Sequence, residues 1–151
     1  MNIKLLLLLV SILFYGCSES TNDLPRTPEE KLQVIKRLIE RNINLPSEII
    51  SVNYIEEVQG QGGDLGPTDF KFYLRIEVKP NVIKHWCKGL NRPYNNSTRY
   101  SEPKSSQSWW LKESSFSNTM LYETKSYFNS YNGWIYLDKK QGFIYVYTFT
   151  T

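Results

Sequence analysis

The chain has 151 residues, a formal net charge of +3 and an aromatic content of 15%. That length suits a single domain with a useful core. The 18 basic and 15 acidic residues nearly balance, so no nucleic-acid partner is expected. The chain has only one histidine and two cysteines, which are too few for a zinc site built from those residue types. No metal or other cofactor is therefore predicted.

An apolar block near the start of the chain follows a short, positive head. Lys4 precedes residues 5–15, in which only Ser11 is mildly polar. A membrane-spanning helix needs about 20 apolar residues, whereas a block of this length is typical of a signal peptide. The block also lacks the polar face of an amphipathic core helix. We therefore predict a signal peptide over residues 1–16.

The end of this block resembles the signal of bacterial lipoproteins. In that family a peptidase cuts before a cysteine that carries a diacylglyceryl group, and Gly16 and Cys17 match its pattern. The resemblance implies a Cys17 carrying diacylglycerol and palmitate, and membrane attachment through this lipid. The residue after the cysteine, Ser18, is not Asp, which by the same resemblance favours the outer membrane, in either leaflet. An uncleaved anchor and a plain secretory signal are the alternatives.

Residues 17–26 are mostly polar and are predicted to be a lipidated tether, followed by a single domain over residues 27–151. Thr27, Pro28 and Glu30 form the signature of a capped helix start. Apolar residues at helical spacing then give this N-terminal helix one buried face. They are Leu32, Ile35, Leu38, Ile39 and Ile43.

Alternating apolar residues predict strands in residues 49–57 and 69–79. In the second of these, Tyr73 and Arg75 belong to the face that we expect to be solvated. The Gly-rich residues 59–68 are predicted to join the two strands as a hairpin loop. A second hairpin is predicted over residues 133–150, with its turn at Asp138–Gly142, and Met120–Lys125 is a candidate edge strand.

A second short helix is predicted between Pro80 and Gly89, followed by a long loop over residues 91–108. Helices combined with antiparallel hairpins indicate an α+β domain. The predicted fold is an antiparallel sheet of about four strands, with the N-terminal helix and the second short helix packed on one face.

Residues that suggest catalysis have a structural explanation in each case. In a helix, His85 and Cys87 would lie about 200° apart, with Cys87 on the apolar side. On a strand, Glu56 and Glu57 face opposite ways. The Gly-rich residues 60–66 lack the Gly-Lys-Ser/Thr ending of a phosphate-binding loop. The sequence therefore favours a protein that is not an enzyme.

Aromatic side chains are the candidates for a binding role. If Ile144 and Val146 face the helices, the aromatic residues of the C-terminal hairpin face outward and could stack on sugars or anchor a protein; otherwise they form the core. The loop at 91–108 and the two tryptophans after it mix basic and aromatic residues, which suits anionic partners. The candidate binding residues are Trp134, Tyr136, Tyr145, Tyr147, Tyr94, Arg99, Tyr100, Trp109 and Trp110.

The function predicted from these features is that of a non-catalytic cell-envelope lipoprotein that binds an envelope protein or glycan. One alternative is an inhibitor or immunity lipoprotein directed against a hydrolase or toxin, with the loop at 91–108 protruding toward it. The other is a glycan hydrolase that uses carboxylates near the aromatic face.

Overall fold

The computed structural model describes residues 27–59, 69–94, 100–116, 119–129 and 132–150. The predicted signal peptide, Cys17, the tether, most of the Gly-rich loop and Arg99 lie outside the described residues. Within the described ranges, no helix is long and apolar enough to cross a membrane.

The domain is built on one antiparallel sheet with short helices between and before its strands. The strands are β1 (Ser51–Gln59), β2 (Asp69–Glu77), β3 (Leu121–Glu123), β4 (Asn132–Asp138) and β5 (Phe143–Phe149), in the order β1-β2-β5-β4-β3. The helices are α1 (Pro28–Glu40), α2 (Ile83–Cys87), which follows the 3₁₀ turn Pro80–Val82, α3 (Glu113–Phe116) and α4 (Lys125–Phe128). The α+β class is confirmed. The sheet has five strands rather than about four, because the candidate edge strand pairs with β4.

The start of α1 is fixed by a reciprocal cap. The Thr27 side chain accepts a hydrogen bond from the Glu30 backbone, and the Glu30 side chain accepts one from the Thr27 backbone. These bonds satisfy two of the donors that every helix start leaves open. Ile35 and Ile39 are fully buried, so the predicted apolar stripe of α1 does face the core.

A first core fills the space between the helices and one face of the sheet. Ile35 of α1 lies there in one cluster with Leu74 of β2 and Val146 of β5. Trp86 and Tyr127 stack with 5.6 Å between ring centroids, and the Tyr127 hydroxyl donates to the Trp86 carbonyl at 2.7 Å. This hydrogen bond satisfies two buried polar groups and joins α2 to α4.

The opposite face of the sheet is covered as well. Residues 100–116, which we call the cover segment, lie over it, and Trp110 packs there in a second cluster with Tyr73, Trp134 and Tyr147. The predicted solvation of this face of β2 is therefore wrong at Tyr73, which is 0% exposed. Alternation alone cannot reveal a cover that has no strand or helix period of its own.

The two edges of the sheet differ. On the β3 side, the Tyr94 backbone donates to Leu121 at 2.9 Å and the Glu123 backbone donates to Arg92 at 3.0 Å, with Pro93 bridging Tyr122 between them. Proline lacks an N–H and is one of the residues that protect edges. On the other side, β1 has no neighbouring strand beyond β2 among the described residues.

The predicted turn between β4 and β5 is confirmed. The Asp138 carboxylate accepts hydrogen bonds from the backbones of Lys140 and Gln141. Gly142 has a φ of +79°, and its carbonyl accepts a hydrogen bond from Val78 at 2.9 Å. The turn is thereby joined to the end of β2.

Candidate binding surface at the margin of the aromatic face

Strand register arranges the covered face of the sheet in rows across β2, β5 and β4. One row contains Tyr73, Tyr147 and Trp134, which we call the inner row. The next row contains Arg75, Tyr145 and Tyr136, which we call the outer row. Side chains directly opposite on one face of a sheet lie close enough to pack against each other. The two rows therefore form a continuous surface of rings with one guanidinium at its side.

The cover segment is bound mainly over the inner row. The Trp110 ring centroid lies 5.3 Å from that of Tyr73 and 6.0 Å from that of Trp134. The Trp110 indole donates to the Ser101 carbonyl at 2.9 Å, and the hydroxyls of Ser101 and Tyr73 are 3.0 Å apart. The Glu57 carboxylate of β1 accepts from the Lys104 backbone at 2.6 Å. These contacts close the inner row to any ligand.

The predicted outward-facing row of aromatics is therefore not exposed. Ile144 and Val146 do face the helices, as the expectation required, but the cover segment shields the aromatic side. Trp110, Trp134, Tyr145 and Tyr147 are buried. Tyr94, Tyr100, Trp109 and Tyr136 are half-buried.

The outer row is only partly covered, so some of its side chains and their neighbours remain accessible to solvent. Trp109, Tyr136, Phe143 and Arg75 are all half-buried there, and we call this group the aromatic margin. The Arg75 guanidinium carbon lies 4.6 Å from the Phe143 ring centroid, and an Arg75 Nη donates to the Trp109 carbonyl at 3.4 Å. Tyr136 stacks on the buried Tyr145 with 6.0 Å between centroids.

Arg75 has fewer partners than its five donors can use. Its Nε is buried and has no hydrogen-bond partner. A guanidinium in an apolar setting is stabilised by aromatic faces, but it still favours hydrogen bonds to oxygen. The margin thus contains a half-buried cation packed on the Phe143 ring, whose unpaired Nε is itself buried.

Two acidic groups and a phenol complete the polar surroundings of the margin. Burial raises the pKa of Tyr145; Arg75 lowers it and Asp138 raises it, so the Tyr145 hydroxyl keeps its proton at neutral pH. Glu77 lies opposite Phe143 in the sheet, and its carboxylate accepts from the Ser51 hydroxyl at 2.6 Å. The margin therefore combines both charge signs with a neutral hydroxyl, which suits a polar but uncharged ligand better than a strongly charged one.

A hollow of about 160 Å³ opens within the cover segment. Tyr100, Glu102, Ser106, Trp110 and Lys112 contribute to its walls. Since one water occupies about 30 Å³ of the liquid, the hollow holds only a small chemical group. Ligand sites for drug-sized molecules start at roughly twice this volume.

The residues that suggested catalysis in the sequence do not form a catalytic site in the described structure. Cys87 is half-buried against the helix-side core, with its thiol 3.8 Å from the Ile83 carbonyl. Glu56 is exposed while Glu57 binds the cover segment, so the two do face opposite ways. Across the part of the chain that the structure describes, no group of three or more His, Cys, Asp or Glu residues could hold a metal ion.

Two members of the margin were missing from the candidate binding residues. Alternation places Arg75 on a face of β2 that is expected to be solvated, and it does not distinguish Phe143 from the other aromatic residues of its strand. The signal that joins them is the register of β2 with β5, which sets Arg75 beside Tyr145 and Glu77 beside Phe143. No spacing within either strand contains this information.

Comparison with known proteins adds no relative. No protein-family model, curated protein or solved structure matches the chain.

Proposed function

We propose that the protein is a non-catalytic lipoprotein of the cell envelope that binds an envelope glycan through its aromatic margin. The observation that supports this most directly is the half-buried Arg75 guanidinium packed on the Phe143 ring, with the half-buried Trp109 and Tyr136 on the same face of the sheet. Aromatic faces pack on the C–H faces of sugar rings, while a few placed polar groups fix the hydroxyls. Arg75 supplies such a group on this face of the sheet.

The nearby carboxylates favour binding over hydrolysis. A glycosidase needs two carboxyl groups that flank one bond and are free to transfer a proton or attack. Asp138 is bound to the backbone of its own turn, and Glu77 is bound to Ser51. Each carboxylate therefore has a structural task already.

The inhibitor alternative has less support from the structure. It rests on a protruding loop at residues 91–108, but residues 100–108 belong to the cover segment, where Ser101 and Lys104 are bound to the sheet. Residues 100–108, held against their own sheet, are a less suitable probe for the active site of another protein.

The binding proposal is tested with the full-length chain in detergent micelles, titrated with purified envelope glycans by calorimetry. Changing Trp109 to Ala together with Tyr136 to Ser removes two rings of the margin, and we expect at least about fivefold weaker binding, since each ring contact contributes about 0.5–1.5 kcal/mol. Tyr122→Ser removes a half-buried ring on the other face and should leave the affinity unchanged. Equal loss in both variants, or no glycan bound by the parent, contradicts the proposal.

The lipid anchor is a separate part of the proposal, supported by Gly16 and Cys17 alone. More than one acyl chain is needed for stable attachment, which is what the lipoprotein resemblance implies. Cells that express the parent should incorporate labelled palmitate into the protein and retain it in the membrane fraction. Cys17→Ser should abolish both; a variant that still carries the label refutes lipidation at this residue.

A further inference from the structure

The helices that cover one face of the sheet have an outer surface of their own. The buried residues of α1 and α2 belong to one core on one side of the sheet; they are Ile35, Ile39, Ile83 and Trp86. Residues on the opposite sides of these helices therefore point in a common direction, away from the sheet. We call the outer surface formed by the second half of α1, α2 and α4 the helix face.

Basic residues occupy the positions on α1 and α2 that lie farthest from the core. Arg37 and Arg41 stand two residues before and two residues after the buried Ile39. Lys84 and Lys88 flank the buried Trp86 in the same way. Two residues correspond to about 200° around a helix axis, so all four side chains project away from the core. All four are exposed.

Hydrogen bonds hold the ends of α1 and α2 close together. The Asn42 side chain, directly after α1, donates to the Tyr127 carbonyl of α4 at 2.8 Å. Tyr127 in turn stacks on Trp86 of α2, and the Trp86 indole donates to the Ser47 hydroxyl at 2.8 Å. The exposed Lys125 of α4 lies between the two helices in this chain of contacts. The cations therefore share one surface.

Acidic residues are few in this part of the domain. Residues 78–94 contain four lysines and arginines and no Asp or Glu. Glu40 lies one turn after Lys36, on the side of α1 rather than opposite its buried stripe, and Glu48 is exposed in the loop that follows α1. Glu123 is in register with Trp134, so it belongs to the aromatic side of the sheet. The other acidic residues of α1 are in its first turn, at the far end of the helix. The helix face therefore has a net positive charge.

We propose that the helix face rests on an anionic phospholipid surface. Cations spread over two helices fit an extended anionic surface better than a single small anion, which requires groups that converge on one point. Val34 is 41% exposed and precedes Arg37 by three residues, so an apolar side chain lies among the cations and can enter the headgroup layer.

This inference does not depend on the glycan proposal. It extends the proposal of a lipid anchor, because α1 directly follows the predicted tether, and the palmitate experiment tests that anchor separately. With the helix face on the lipid, the opposite face of the sheet, which contains the aromatic margin, is directed away from the membrane.

The test measures how fast a water-soluble acylating reagent modifies individual lysines of the full-length chain in lipid nanodiscs. Discs of phosphatidylcholine are compared with discs that also contain phosphatidylglycerol, and mass spectrometry quantifies each site. Acylation of Lys84 and Lys88, the two reporter lysines, should slow at least about fivefold in the anionic discs. Lys104 and Lys112, exposed on the cover segment, should react equally in both. High salt should remove the protection because it screens the charges.

Two charge-reversal variants identify the surface responsible. Arg37→Glu with Arg41→Glu leaves the reporter lysines in place and should return their acylation in anionic discs to within about twofold of the rate in neutral discs. Lys104→Glu with Lys112→Glu makes the same change in net charge on the cover segment and should leave the protection unchanged. Near-ultraviolet circular dichroism verifies that both variants are folded.

Three results would overturn the proposal: equal reporter acylation in both kinds of disc, protection that survives the change of Arg37 and Arg41, or protection lost equally in the cover-segment variant. Inorganic phosphate added to neutral discs should not slow acylation of the reporter lysines. If phosphate protects them as well as the anionic lipid does, the helix face binds a small anion and not a bilayer.

Discussion

Gly133 is the residue at which the backbone depends most on the absence of a side chain. It has a φ of +131°, and a Cβ built on it would lie 1.8 Å from the Tyr147 carbonyl oxygen of the neighbouring strand. The close approach lets β4 and β5 pair while Trp134 enters the inner row. A glycine at this point is therefore required both by its dihedral angle and by space.

We expect Gly133→Ala to lower the free energy of unfolding by at least about 3 kcal/mol, because it combines backbone strain with a clash against a main-chain atom. Urea denaturation followed by tryptophan fluorescence measures the change. Gly89→Ala is the control, since its Cβ would meet only Tyr127 at an ordinary 3.4 Å, and it should alter stability by less than about 1 kcal/mol. Similar losses in both variants would show that the backbone geometry of Gly133 is not the cause.

The sequence could predict residues whose role depends on their own neighbours along the chain. Thr27 and Glu30 form the expected cap, and Asp138 forms the expected turn. The sequence could not predict that Arg75 is half-buried, because a basic residue that alternates with apolar ones on a strand is usually solvated. Its half-buried state follows from Trp109 and Phe143, which approach it only after the strands are paired and the cover segment is in place.

The cover segment is the element that sequence analysis described least well. Its chain is polar and irregular, with a single short helix, so no periodicity shows which residues it buries. It is held to the sheet by Trp110, by the Ser101 hydroxyl and by the Lys104 backbone. Residues 100–108 of the predicted loop thus form part of a second layer on the sheet. Their contacts are with residues distant in sequence, which local patterns cannot reveal.

We expect Trp110→Ala to lower the free energy of unfolding by about 3–5 kcal/mol, the usual cost of truncating a large buried aromatic residue. Partial release of the cover segment should also increase the binding of an apolar dye such as anilinonaphthalene sulfonate, because Tyr73 and Trp134 lie directly beneath.

Trp109→Ala is the matched change at the half-buried neighbour, and it should cost less than about 2 kcal/mol without the gain in dye binding. If the two tryptophan variants lose equal stability, the cover segment is not anchored by Trp110.

At the scale of the whole molecule, two cores share one sheet, and β5 is buried on both of its faces. The helix-side core is largely aliphatic, whereas the other core is largely aromatic and rich in hydroxyl groups. Burial raises the pKa of Tyr73 to about 12. The pKa of Tyr100 is also raised to about 12, chiefly by burial and secondly by its hydrogen bond to Glu102. Both phenols are therefore held neutral by the fold.

This makes the fold sensitive to alkali. An unfolded tyrosine loses its proton near pH 10, whereas these two keep theirs in the folded state up to about pH 12. The unfolded state binds fewer protons across that interval, so the free energy of unfolding should fall as pH rises from 10 to 12, and should be insensitive to these groups below pH 10.

Urea midpoints across this pH range measure the effect, with Tyr73→Phe as the comparison. That variant removes one of the tyrosines whose pKa is raised, so its stability should decline less steeply with pH than that of the parent, whatever its stability at pH 7. An identical pH slope in parent and variant would mean that Tyr73 ionises equally in both states.

The strand-like segment around Pro93 has a consequence for assembly. A sheet with two open edges can add subunits at either side without limit, which leads to fibres. Here one edge is closed by Arg92 and Tyr94 with a proline between them. Among the described residues only β1 leaves a strand edge open, so edge-to-edge addition could join two copies but could not continue into a fibre.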